Sequence, residues 1–135
     1  MLKVAVIGLG AFGMSVLKAL VDVGAEIIAI DQNMQKIEEV QDMVSFAVKM
    51  DSTDETALLS QGVHEVDIAV VCIGEGFEAN ILTGVTLKNL GVKKVISRAT
   101  REIEKKILNC GGFMPCSIQM NYSIHQNTIT ICLMN

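Results

Sequence analysis

Gly8, Gly10 and Gly13 stand in the run Val4-Ala5-Val6-Ile7-Gly8-Leu9-Gly10-Ala11-Phe12-Gly13, directly after an apolar stretch and at the head of a helical pattern. Glycines at that spacing can cradle a pyrophosphate. The first permits a tight strand-to-helix turn, the second lets phosphate approach the backbone, and the third lets the helix pack closely on the sheet. Free N–H groups at the helix N-terminus supply the binding, so Leu9, Ala11 and Phe12 between the glycines belong to the same candidate site. About twenty residues further on, Asp31 ends a second apolar run, Ile27-Ile28-Ala29-Ile30. An acid there can accept hydrogen bonds from both ribose hydroxyls and repels a 2′-phosphate, which favours NAD or an adenosine nucleotide over NADP. Gln32 follows it on the same rim.

The elements that must hold these residues are strand-like apolar runs alternating with helix-length segments. The strands are expected at 2–7, 26–30, 45–49, 67–73 and 94–98. Helices are expected at 12–23, ending at Gly24, then at 33–43, at 54–61 with Thr53 able to cap it, at 77–90 and at 101–108. Such alternation indicates an α/β protein with a Rossmann-like, doubly wound parallel sheet covered on both faces. Ligands of such sheets bind beyond the carboxyl ends of the strands, where strand order reverses.

That rule places further candidates on one rim. Asp51-Ser52-Thr53-Asp54 follows the third strand. Asp51 can accept from an adenine amino group, with the Ser52 backbone completing an edge-on contact, or it can cap the next helix together with Thr53. Asp54 is better read as a cap. Cys72-Ile73-Gly74-Glu75-Gly76 ends the fourth strand, where small residues let the backbone approach ribose or pyrophosphate. Cys72 reads as apolar wall rather than nucleophile. Arg98 ends the fifth strand, able to reach a phosphate or to pair with Glu75 or Glu78 across the crevice.

Composition narrows the classes. The chain has 135 residues, enough for one domain with a core and too few for a nucleotide domain plus a substrate domain. A net charge of -4 argues against nucleic acid as the main partner. The 4 cysteines form no Cys-x-x-Cys pair and the 2 histidines are not spaced with them as zinc ligands, His64 reading as a surface loop residue. No metal site is expected, and magnesium is not expected to be held by the protein alone. No run approaches a transmembrane helix, so no direct membrane insertion and a cytoplasmic location are expected. From Asn109 the character changes to almost uncharged sequence rich in Asn, Gln, Ser and Thr. Alternation at Ile118, Met120, Tyr122 and Ile124 leaves a hairpin or disorder open there. The expected domain is therefore 1–108, with an atypical tail at 109–135.

Several of these stretches closely resemble the KTN domain, also called the TrkA-N or RCK N-terminal domain, of regulatory subunits of Trk/Ktr potassium uptake systems. The likeness covers residues 2–108. It rests on Val-Ile-Gly-Leu-Gly-Ala-Phe-Gly, the Ile30-Asp31 strand end, Asp51-Ser52-Thr53-Asp54, Phe77-Glu78-Ala79-Asn80 and Gly91-Val92-Lys93-Lys94-Val95-Ile96-Ser97-Arg98-Ala99. The resemblance implies a domain that binds NAD(H), ATP or ADP, assembles into a homodimer or larger ring, and gates an integral-membrane potassium channel or transporter from its inner face. It assigns the three glycines to phosphate, Asp31 to ribose, Asp51 with Ser52 to adenine and Arg98 to the phosphate side. Ala11 stands where many ATP-responsive relatives carry an arginine, which shifts weight toward ADP, AMP or NAD. Relatives continue with a sixth strand and a crossover helix, to which 109–135 looks unrelated.

The leading expectation is a nucleotide-sensing module, not an enzyme. The alternatives are the NAD-binding domain of a multi-chain oxidoreductase, which the same cradle would serve, and a scaffold that pairs with other subunits without ligand affinity.

Overall fold

The computed structural model describes residues 1–74 and 76–116. Its elements run β1 (Lys3–Ile7), α1 (Ala11–Asp22), β2 (Glu26–Asp31), α2 (Met34–Val40), β3 (Phe46–Lys49), α3 (Glu55–Ser60), β4 (Ile68–Val71), α4 (Phe77–Asn89), β5 (Lys94–Arg98), α5 (Glu102–Cys110) and β6 (Met114–Cys116), with a short 3-10 turn at Val63–Glu65. They form one 6-stranded sheet in the order β3-β2-β1-β4-β5-β6. All neighbours pair in parallel. This is the doubly wound, Rossmann-like α/β fold that the alternation predicts.

A central parallel strand is buried on both faces, so it needs apolar side chains at successive positions. In β1, Val4 and Val6 enter one core layer with Leu17 and Leu20 of α1 and Ile37 and Val40 of α2. Ala5 and Ile7 enter the other, with Leu58 of α3, Leu87 of α4 and Leu108 of α5. Helix α1 ends as its sequence indicates. Gly24 takes φ 76, and the Ala25 amide donates back to the Leu20 carbonyl at 3.1 Å, a closure that the left-handed residue makes possible.

Two expectations change and a third is refined. The sheet runs past Leu108, because α5 extends to Cys110 and β6 pairs with β5 through Ile96↔Met114, Ser97↔Pro115 and Arg98↔Cys116. A sixth strand is therefore present where the sequence looked unrelated to the family. The Phe113 ring seals this extension, lying 3.1 Å from where a Cβ on Gly84 of α4 would sit and 2.7 Å from one on Gly111. Asp54, not Thr53, caps α3, accepting from the Ala57 amide at 3.2 Å. His64 lies in the short 3-10 turn and is only partly exposed, its side chain 30% accessible with Nδ1 buried and lacking a partner among the described residues. The hairpin or disorder considered for Ser117–Asn135, with His125 and Cys132, and the candidate partner Glu75 lie outside the described residues. Among the described residues no helix is long and apolar enough to cross a membrane.

Candidate functional site

The order of strands brings the carboxyl ends of β1 and β4 together, since the Cys72 amide donates to the Ile7 carbonyl at 2.7 Å. The glycine turn rises over this junction. Gly8 has φ 94, and a Cβ on it would lie 2.7 Å from the Cys72 carbonyl oxygen. Both conformation and space therefore demand glycine there. A Cβ on Gly13 would fall 1.7 Å from the Gly8 carbonyl oxygen, so the first turn of α1 rests directly on the turn below it. Gly10 differs, because a Cβ there would meet nothing within 4 Å. Gly10 is also the N-cap of α1 and offers no side-chain acceptor to the first-turn amides. A 12-residue helix thus presents an uncapped, partially positive end on an open side.

That open side is a cleft of about 540 Å³ formed by the ends of β1, β2, β3 and β4. Of the residues expected from sequence, Gly8, Leu9, Gly10, Asp31, Gln32, Asp51, Ser52, Thr53, Ile73 and Gly74 line it. Ala11, Phe12, Gly13, Cys72 and Arg98 are not on its wall. Gly13 and Cys72 are packing residues, and the Cys72 side chain is buried in the core layer beneath α1. Asn33, Lys36, Met50 and Ala79, which the sequence did not single out, line the cleft as well, together with Ile7 and Ile30 at the strand ends. Lys36 lies in the first turn of α2, and its signal was available: a helix beginning just after Asp31 must present its first turn to the same rim. It adds a half-buried cation to the cleft that Asp31 and Asp51 also line.

Asp31 lines the cleft with both carboxylate oxygens engaged. One oxygen accepts the Leu9 amide at 2.8 Å and the other accepts the Asn33 amide at 2.8 Å. A carboxylate has about four lone-pair sites, so capacity remains for hydroxyl donors. Asp51 accepts both the amide and the hydroxyl of Thr53, at 2.9 and 2.7 Å. The Thr53 hydroxyl bond, then its amide, holds the Asp51 carboxyl below the ordinary 3.8, against a smaller opposing effect of burial. Its cap reading is thereby corrected: the acid closes a local turn and Asp54 caps the helix. Ser52 is buried, with its hydroxyl 2.9 Å from that of Thr83 on α4, so only its backbone is available at the edge.

The loop after β4 is fixed by Asn80 of α4. Its side chain accepts the Ile73 amide at 3.0 Å and donates to the carbonyls of Ile73 at 2.7 Å and Gly76 at 3.3 Å. Arg98 lies just beyond, its guanidinium 5.3 Å from the Phe12 ring centroid and its Nη1 3.7 Å from where a Gly74 Cβ would sit. No ion pair joins it to Glu78 among the described residues. Arg98 faces a smaller cavity of about 220 Å³ with Asn80, Thr100 and Glu104, which shares Ile73 and Gly74 with the larger cleft. Phe12 and Arg98 therefore make a cation–π contact beside Gly74. Among the described residues no group of three or more His, Cys, Asp or Glu side chains is placed to hold a metal ion.

Comparison with known proteins gives a consistent picture. The model of the TrkA-N domain family matches residues 4–114. The Ktr system potassium uptake protein C of Bacillus subtilis is 43% identical over 105 residues, covering 78% of this chain and 48% of that protein. The chain thus spans about half the length of the curated relatives it matches. Among solved structures, the NAD(P)-binding domain of an exopolyphosphatase-related protein from Archaeoglobus fulgidus has a TM-score of 0.74 at 22% identity, with 100% of both chains covered. The GsuK channel bound to NAD has a TM-score of 0.72 at 13% identity, over 84% of this chain and 21% of that one. A structure of GsuK bound to ADP gives the same TM-score.

Proposed function

Since the chain belongs to the TrkA-N domain family, we propose that it is a nucleotide-sensing regulatory component of a potassium uptake system, acting as a binding module and not as an enzyme. The ligand is NAD(H) or an adenine nucleotide, ADP, AMP or ATP. The observation that carries this reading is the uncapped end of α1 at Gly10, open to a cleft of about 540 Å³ that Asp31 also lines. A diphosphate fits the bare amides and the adenosine ribose fits the remaining lone pairs of Asp31. The backbone edge at Asp51 and Ser52 then meets the adenine, and Arg98 stands on the phosphate side beyond Gly74. The potassium uptake named for the similar Bacillus subtilis protein supports the transport side of this reading, and the NAD and ADP bound by the similarly folded GsuK channel support the ligand class.

A binding module works by preferring one arrangement of its assembly over another, and it shifts the equilibrium only by that difference in affinity. The assembly is a homodimer or ring docked on the inner face of an integral-membrane potassium channel or transporter. Exposed Leu82 and Val85 of α4 and Ile103 and Ile107 of α5, all on helices over one sheet face, support self-association.

Calorimetric titration with NAD, NADH, ADP, AMP and ATP tests the reading. Micromolar binding of at least one of them is expected, weakened in Asp31→Ala by about 1.5–3 kcal/mol for the lost charge-assisted contact. Absence of binding by all five overturns it, and oxidation or reduction of the nicotinamide with added hydroxy acids transfers the site to an oxidoreductase.

A further inference from the structure

The glycine turn is tied to the end of β2 by two bonds in succession. The Gly8 amide donates to the Ile30 carbonyl at 2.9 Å, and the Leu9 amide donates to an Asp31 carboxylate oxygen at 2.8 Å. The other oxygen of the same carboxylate holds the Asn33 amide, which fixes the carboxylate itself. Leu9 is anchored on its second side as well, with a fully buried side chain in the core layer under α1 and α2. The residues on either side of Leu9 are glycines, one of them at φ 94, and glycine backbone has the most freedom to lose. The body of α1 is held by its core packing and by Gly13 seated on Gly8, so the Leu9 bond to Asp31 is the polar tie that acts within the glycine turn itself, between the Gly8 bond and the first turn of the helix.

We propose that Asp31 is a positioning residue for the phosphate cradle in addition to any contact with ribose: its carboxylate fixes the Leu9 amide and thereby aims the amides that follow. The inference rests on the nucleotide reading above, but it makes a claim that reading does not. Asp31 then matters to a ligand that has no ribose hydroxyls to offer. A carboxylate can serve both tasks at once, because two of its lone-pair sites suffice for the two amides.

The test uses the full chain as wild type and Asp31→Asn, titrated with ADP and with 2′,3′-dideoxy-ADP, alongside amide hydrogen exchange at Leu9 with no nucleotide added. In the wild type the Leu9 amide is expected to be protected and shifted downfield, as for an amide bonded to a carboxylate. In Asp31→Asn, with an unchanged far-UV circular dichroism spectrum, its exchange quickens and dideoxy-ADP binds about tenfold more weakly, the loss expected for one charge-assisted hydrogen bond. Equal binding of dideoxy-ADP by the two folded proteins overturns the positioning role, leaving Asp31 a ribose contact alone. Unprotected exchange at Leu9 in the wild type overturns it also, a measurement that stands even if the variant does not fold. If the wild type binds neither ADP nor dideoxy-ADP, the positioning role is overturned, whereas the nucleotide reading falls only when NAD, NADH, AMP and ATP fail to bind as well.

Discussion

At the scale of single residues, three glycines of one motif do three different things, and substitution separates them. A Cβ on Gly13 would sit 1.7 Å from a backbone carbonyl oxygen, while one on Gly10 meets nothing within 4 Å. Gly13→Ala is therefore expected to push α1 off the turn and cost about 3 kcal/mol or more, seen as a large drop in melting temperature. Gly10→Ala is expected to leave the melting temperature within a few degrees and to weaken nucleotide binding about tenfold or more, because its methyl occupies the approach to the uncapped amides. A Gly10→Ala protein that binds as the wild type does would show that phosphate lies elsewhere. The motif was legible in the sequence, but this division of labour was not, since the spacing of glycines is silent on what lies above each Cα.

Among the elements, α5 illustrates how a helix start is secured by charge. Glu104, buried at 6% exposure, accepts the Thr100 amide, the Thr100 hydroxyl and the Arg101 amide, each at 3.0 Å. The Thr100 amide foremost, then the Arg101 amide and the Thr100 hydroxyl, hold its carboxyl below the ordinary 4.5, with burial opposing. A depressed folded value means that the ionised form is favoured by folding. The stability it contributes is complete above 4.5 and is lost as pH falls below that value through the lower folded one. The stability difference between wild type and Glu104→Gln, read from thermal unfolding, should accordingly be largest near neutrality, on the order of 1 kcal/mol, and shrink in acid. A difference that stays constant down to pH 3 would mean that packing, not charge, secures this end. Most elements were readable from local pattern. The five sequence-derived strands and helices are present with ends shifted by a few residues, and β5 matches at both ends. The sixth strand was missed because Met114–Cys116 is only 3 residues long and includes Pro115, too short for alternation to show and chemically unlike a strand.

For the whole molecule, the exposed apolar residues of α4 and α5 give the assembly proposal a direct test. Ile103→Lys combined with Ile107→Lys, both on the solvent side of α5 at 54% and 44% exposure, should lower the oligomer population in sedimentation velocity. The same variant should keep its melting temperature and nucleotide affinity, because neither residue lines the cleft. Wild-type protein that sediments as a monomer at all concentrations would refute the proposal. The sequence by itself determined the succession of strands and helices and the presence of a glycine turn and an acid at successive strand ends, because periodicity and turn chemistry are properties of neighbouring residues. Only the tertiary structure decided which strand ends meet. Pairing of β1 with β4 brings Gly8 against Cys72, pairing of β1 with β2 turns Asp31 back onto the Leu9 amide 22 positions away, and pairing of β4 with β5 moves Arg98 behind Gly74. Those contacts come from the summed packing of two core layers, to which each local segment contributes without specifying the result.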